Sequence, residues 1–159
     1  MFQPSPTSAQ GLYRSTFLLY IALLLGQIVF CFVVVFLITQ PDRGLKEGSA
    51  YPFLGALIVC LAFGGAWWMN RLRQASIKRL RANFPGKILH YRTSVIVRVA
   101  MLEAGNLFCL VIALLEGTLF PLLFFCVGLA FFLYFRPNKD EVTRWYQLKD
   151  EEARQLYLR

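Results

Sequence analysis

The side chains whose types and spacing could do chemistry are Arg98, Glu103 and Asn106, all within one apolar stretch at 95–116, and Gln27 in another. An ionisable group inside a bilayer costs about 3 kcal/mol or more, so it is kept where protein encloses it and where it has a job. At about 100° per residue, Ser94, Arg98, Leu102, Gly105 and Cys109 share one helical face, with Asn106 to one side and Glu103 beyond it. Glu103 and Asn106 are neighbours at a spacing of three, whereas Arg98 and Glu103, five apart, point in different directions. No salt bridge between Arg98 and Glu103 is expected.

If Arg98 marks one membrane interface, a rise of about 1.5 Å per residue places Glu103 about 7 to 8 Å inward and Asn106 about 12 Å inward. The same ruler laid from Phe17 puts Tyr20 near the level of Glu103 and Gln27 slightly deeper than Asn106. Tyr20, Trp67 and Tyr134 are therefore the expected donors to Glu103, and no Lys or Arg of another span reaches its depth. A carboxylate without a cation in low dielectric is expected to be protonated or hydrogen-bonded. It would then hold helices in register, meet a partner subunit, or carry a proton or cation. Gln27, a lone mid-span amide, is expected to bond to a neighbouring helix.

Other chemistries lack their parts. His90 is the single histidine, so haem held between two imidazoles of this chain is excluded. Cys31, Cys60, Cys109 and Cys126 fall in four separate apolar stretches without a close pair. They read as packing residues rather than a disulfide framework or zinc site. With no nucleophile, base and metal-ligand constellation, the expectation is a non-enzymatic protein without metal or cofactor.

The elements that position these residues follow from composition. Of 159 residues, 57% are hydrophobic and only 16% charged, against about a quarter charged in soluble domains. The expected fold is all-α: a polytopic membrane protein with four transmembrane helices at about 17–39, 51–69, 95–116 and 119–135. They form two antiparallel hairpins, closed by Pro41 and by Glu116, Gly117 and Thr118. Residues 1–13 lack both charge and the basic start of a secretory signal, and read as a short mobile lead-in before a retained first span. Residues 1–137 make the membrane domain; 138–159 make a charged tail with a short helix starting near Asp150, docked rather than free. Along the second span Ala56, Cys60 and Gly64 recur every four residues, a small-residue stripe suited to helix packing.

Charge supplies orientation. The net +8 is concentrated between 71 and 92 in Arg71, Arg73, Lys78, Arg79, Arg81, Lys87 and Arg92, with no acid among them. The second helix is expected to continue into this stretch until Pro85 and Gly86 stop it. By the positive-inside rule this side, and both termini with it, is cytoplasmic. Orientation accounts for the basic excess without nucleic acid, and anionic phospholipids are the natural partners of such a loop.

Four spans with a membrane carboxylate suggest the double-hairpin proteolipids of rotary ATPases. Those, however, have glycine-rich helices and a mid-membrane carboxylate. The chain more closely resembles uncharacterised four-helix bacterial inner-membrane proteins. That likeness rests on Ile96, Arg98, Ala100 and Glu103, on Arg136 and Pro137, and on Leu148, Glu151 and Glu152. It covers the C-terminal half and implies a bacterial inner-membrane location but no activity. The functional expectation is a small or accessory subunit of a larger membrane complex, touching other membrane subunits or copies of itself. The alternative is a small proton- or ion-conducting oligomer using Glu103, Asn106 and Gln27.

Overall fold

The computed structural model describes residues 9–40, 52–77 and 84–157. Lys78, Arg79, Arg81 and the connector 41–51 lie outside them. Every regular element among the described residues is helical: α1 (Ala9–Ile38), α2 (Pro52–Ile77), α3 (Phe84–Glu116), α4 (Pro121–Tyr134), α5 (Lys139–Tyr146) and α6 (Asp150–Tyr157). Three of them, α1 to α3, are long and apolar enough to cross a membrane. The α4 helix meets that test only together with α5, from which it is bent by 58°.

Two boundaries differ from the sequence expectation. The lead-in gives way to helix at Ala9, before the charge of Arg14. The third helix starts at Phe84 and runs 33 residues, about 50 Å, rather than starting at Val95. Pro85 and Gly86 sit in its first turn instead of ending α2. Proline suits that position because the first turn's N–H groups have no intrahelical acceptor to lose. The expected extension of α2 beyond the apolar region is present and carries Arg71 and Arg73 as far as Ile77.

At its other end α3 closes on Gly117, whose φ of 68° is the left-handed conformation glycine adopts without strain. The Gly117 N–H donates to Ala113 O at 3.0 Å, capping the last turn. Pro121 then opens α4, which at 14 residues spans about 21 Å, less than a hydrocarbon core of about 30 Å.

The α3 helix packs against α1, α2 and α4 and forms the centre of the bundle. One core cluster gathers Tyr20, Tyr91, Leu102 and Phe132, with Tyr20 stacked on Phe132 at 5.0 Å between ring centroids. A second gathers Val34, Val59, Leu110 and Phe125 toward the opposite end. Between them lies a polar layer in which Asn106 Nδ2 donates to Gln27 Oε1 at 2.6 Å, each residue 1% exposed. Gly128 makes room for it, since a Cβ there would collide with Asn106 Oδ1. Large apolar side chains such as Phe32, Phe36, Phe53 and Leu61 point outward, as hydrocarbon solvent permits.

The small-residue stripe is not where α2 meets its neighbours. Cys60 and Gly64 are exposed, and a Cβ on Gly64 would meet nothing within 4 Å. Packing uses the adjoining face: Gly55 against Phe124, Ala62 against Gly105, and Gly65 against Met101. With small residues on both sides of α2, spacing alone did not distinguish the two faces.

Candidate functional site at the basic end of the bundle

The strongest convergence of polar groups lies where α2, α3 and α5 meet, centred on Arg98. This guanidinium is 3% exposed and does not serve as a surface marker. Its Nη1 donates to Glu141 Oε1 at 3.0 Å and its Nη2 to Glu141 Oε2 at 3.4 Å, a forked pair supplied by the tail. Nη1 also reaches Asn70 Oδ1 at 3.3 Å, and the guanidinium stands 5.2 Å from the Phe135 ring centroid. Planar two-point pairing of this kind fixes orientation as well as charge.

Local sequence explains why Glu141 arrives there. Asn138 caps α5 by accepting from Asp140 N–H at 3.0 Å, and Val142 and Tyr146, four apart, bury one side of this short helix. Tyr91 ties the cap to α3: its hydroxyl accepts from Asn138 N–H at 3.1 Å and donates to Glu141 Oε2 at 3.0 Å. Glu141 thus serves a cation and a phenol at once. A helix at 139–146 was missed in the sequence, although Asn138 followed by Asp140 and Glu141 is an N-terminal signature.

A second network secures the tail. The Tyr146 hydroxyl lies 2.6 Å from His90 Nδ1, and His90 Nε2 lies 3.1 Å from Ser76 Oγ, which donates to Arg73 O at 2.7 Å. Burial, with the Glu141 charge behind it, pushes the Tyr146 phenol above its ordinary value. With the Tyr146 hydroxyl assigned as donor to Nδ1, the imidazole proton sits on Nε2 and Ser76 Oγ accepts it while donating to Arg73 O. His90 is therefore a connector between α2, α3 and α5.

Lys87, read in the sequence as directed at headgroups, instead pairs with Glu152 of α6 at 3.0 Å. Glu152 also accepts from the Lys149 N–H at 3.2 Å, the backward half of a capping box that starts α6. The expected helix from Asp150 is present, preceded by α5. Arg92 is half-buried, and Arg71 lies 4.1 Å over the Trp67 ring.

Glu103 has none of its expected donors. Tyr20 spends its hydroxyl on Phe132 O at 3.2 Å, while Trp67 and Tyr134 line a cavity beside Arg98 instead. Half-buried on α3, Glu103 makes no hydrogen bond or ion pair among the described residues. The structure therefore joins Gln27 with Asn106, joins Arg98 with Glu141, and leaves Glu103 apart from both.

Protein-family models, curated proteins and solved structures give no match to this chain. Its function must be argued from its own side chains. No group of three or more metal-ligating side chains occurs among the described residues. The Arg98 cluster offers matched charges and fixed donors, an arrangement suited to holding and positioning.

Proposed function

We propose that this is a non-enzymatic integral membrane protein that works as a small or accessory subunit of a larger membrane assembly. The observation that carries the reading is the isolation of Glu103. Gln27, Asn106 and Arg98 each find a partner inside the chain, whereas Glu103, on the same apolar helix, finds none among the described residues. An unmatched carboxylate at membrane depth is costly, and a neighbouring subunit's donor or cation would remove that cost. The stripe of half-buried Ala56 and exposed Cys60 and Gly64 supports the reading, because it offers a second helix close approach without repacking. Other membrane subunits or further copies of this chain are the partners such surfaces fit.

The proposed placement is a bacterial inner membrane, with two antiparallel hairpins and both ends cytoplasmic. Supporting a shared side for the two termini, Tyr13 near the start of α1 donates to Pro137 O after α4 and stacks on Tyr91 of α3, and α5 borders the last turns of α2 at Gln74 and Ile77. Arg71 and Arg73 of the 71–92 segment would then face the anionic phospholipids of the inner leaflet.

Purification from native membrane in gentle detergent tests the subunit role. Stoichiometric partners, lost on Glu103→Ala, are expected; recovery of monomer alone defeats the reading. The ion-conducting alternative uses the same carboxylate, and it predicts that Glu103→Gln abolishes proton flux in liposomes while leaving assembly intact.

A further inference from the structure

Beside the Arg98–Glu141 pair lies a cavity of about 460 Å³, bordered by the ends of α2 and α4 and by α5. Arg98, Arg136 and Arg144 line it against one acidic lining residue, Glu141. Glu141 is already committed to Arg98, and neither Arg136 nor Arg144 forms an ion pair among the described residues. Two guanidinium charges are thus left facing one space.

Hydrogen-bonding capacity is unbalanced in the same direction. Arginine offers five N–H donors and no acceptor, and Trp67 and Trp145 in the wall add indole donors. Arg98 Nε is buried with no acceptor among the described residues. Of the lining side chains that accept, Asn70 and Glu141 are engaged by Arg98 and Asn138 by the Asp140 N–H, which leaves Gln74 and Tyr134, each a donor as well as an acceptor. A cavity rich in donors, poor in acceptors and positive in charge is complementary to a compact anion with several oxygens. Exposed aromatic rings at its mouth, Trp67 and Tyr134, are the types that settle at headgroup level.

We propose that this cleft is a binding site for a phosphate-bearing anion at the membrane surface, gripped by Arg136 and Arg144 over a floor made by Arg98 and Glu141. The site goes beyond the basic segment at 71–92, whose attraction for anionic lipid needs no pocket. It depends on the chain being embedded in a membrane and is independent of the subunit reading. Arg98 positions and Arg136 and Arg144 bind, since Arg98 has its nitrogens engaged or enclosed.

The full-length protein in zwitterionic nanodiscs allows the test, with tryptophan emission as the readout because Trp67 and Trp145 wall the cleft. One arm titrates short-chain phosphatidylglycerol and phosphatidic acid; the other titrates inorganic phosphate. A saturable response to the anionic lipids alone assigns the cleft to a headgroup, and a response to inorganic phosphate assigns it to a free phosphate anion. Either supports the site. Arg136→Gln with Arg144→Gln should weaken the response at least tenfold, while Arg14→Gln with Arg154→Gln, the same change in net charge placed elsewhere, should alter it less than twofold. No saturable response in either arm, or equal losses in the two double variants, would overturn the proposal. Melting temperatures of both variants within a few degrees of the parent exclude unfolding as the cause.

Discussion

At the scale of single residues, the described interior pairs Arg98 with Glu141 and Asn106 with Gln27, and leaves Glu103 apart from both. Removing one member of a buried ion pair strands the other, at a cost of about 3 to 5 kcal/mol. Arg98→Ala should therefore destabilise the protein by that order, whereas Arg98→Met combined with Glu141→Leu should cost much less. Unfolding titrations in mixed micelles over the full cycle measure the difference, and additive effects would show that the two side chains do not interact. Two glycines make a sharper pair. A Cβ at Gly65 meets only the flexible end of Met101, so Gly65→Ala should keep the roughly 0.5 to 1 kcal/mol that alanine gains in a helix. Gly128→Ala drives a Cβ into the Asn106 oxygen while Gln27 holds that amide in place, and should cost about 1 to 3 kcal/mol. Adding Asn106→Ala should recover much of the loss; if it does not, the amide is not what Gly128 accommodates.

At the scale of elements, the short tail helices depend on the bundle they cover. Eight residues are too few for a stable isolated helix, so α5 and α6 persist through Val142, Tyr146, the Arg98 pair and the Lys87 pair. The last of these gives the tail a pH response. Burial raises the Glu152 carboxyl, but the Lys87 hydrogen bond, the Lys149 N–H and both ammonium charges outweigh it and hold the group below its ordinary value of 4.5. A depressed carboxyl contributes stability that is complete above the unfolded value and lost as pH falls through the folded one. For this surface pair the contribution is about 0.2 to 1 kcal/mol. Hydrogen exchange in α6 should accelerate, beyond the intrinsic pH effect, as pH is lowered from 6 to 3, and Lys87→Gln should flatten that change. The long helices were legible because hydrocarbon demands unbroken apolar runs. The α5 helix was not, because its one-sided burial rests on two residues, Val142 and Tyr146, too few to register as a period. For the same reason Glu141 could not be matched to Arg98 across 43 positions of sequence.

At the scale of the whole molecule, charge is distributed by end rather than by helix. Arg71, Arg73, Arg98, Arg136 and Arg144 collect where the tail packs, while the opposite end presents Thr39, Glu116 and Thr118. Composition made membrane residence readable, and the basic run at 71–92 carries the proposed direction; which polar groups would meet was hidden in helix rotation, as the Arg98–Glu141 pair and the unsupplied Glu103 both show. The direction has a consequence that labelling can check. With Cys31, Cys60, Cys109 and Cys126 replaced by alanine, a cysteine introduced at Glu116 should react with an impermeant maleimide on intact cells. One introduced at Lys78 should react only after the membrane is opened. The opposite pattern would place the arginine-lined cleft on the outer surface, away from the anionic leaflet, and would reverse the sidedness of every polar group assigned above. Positive-inside bias acts through the difference between ends, so Arg71→Gln, Arg73→Gln and Arg92→Gln together should raise the minority labelling at Lys78. An unchanged pattern in that triple variant would mean that the remaining basic residues, Arg136 and Arg144 among them, suffice to fix the orientation.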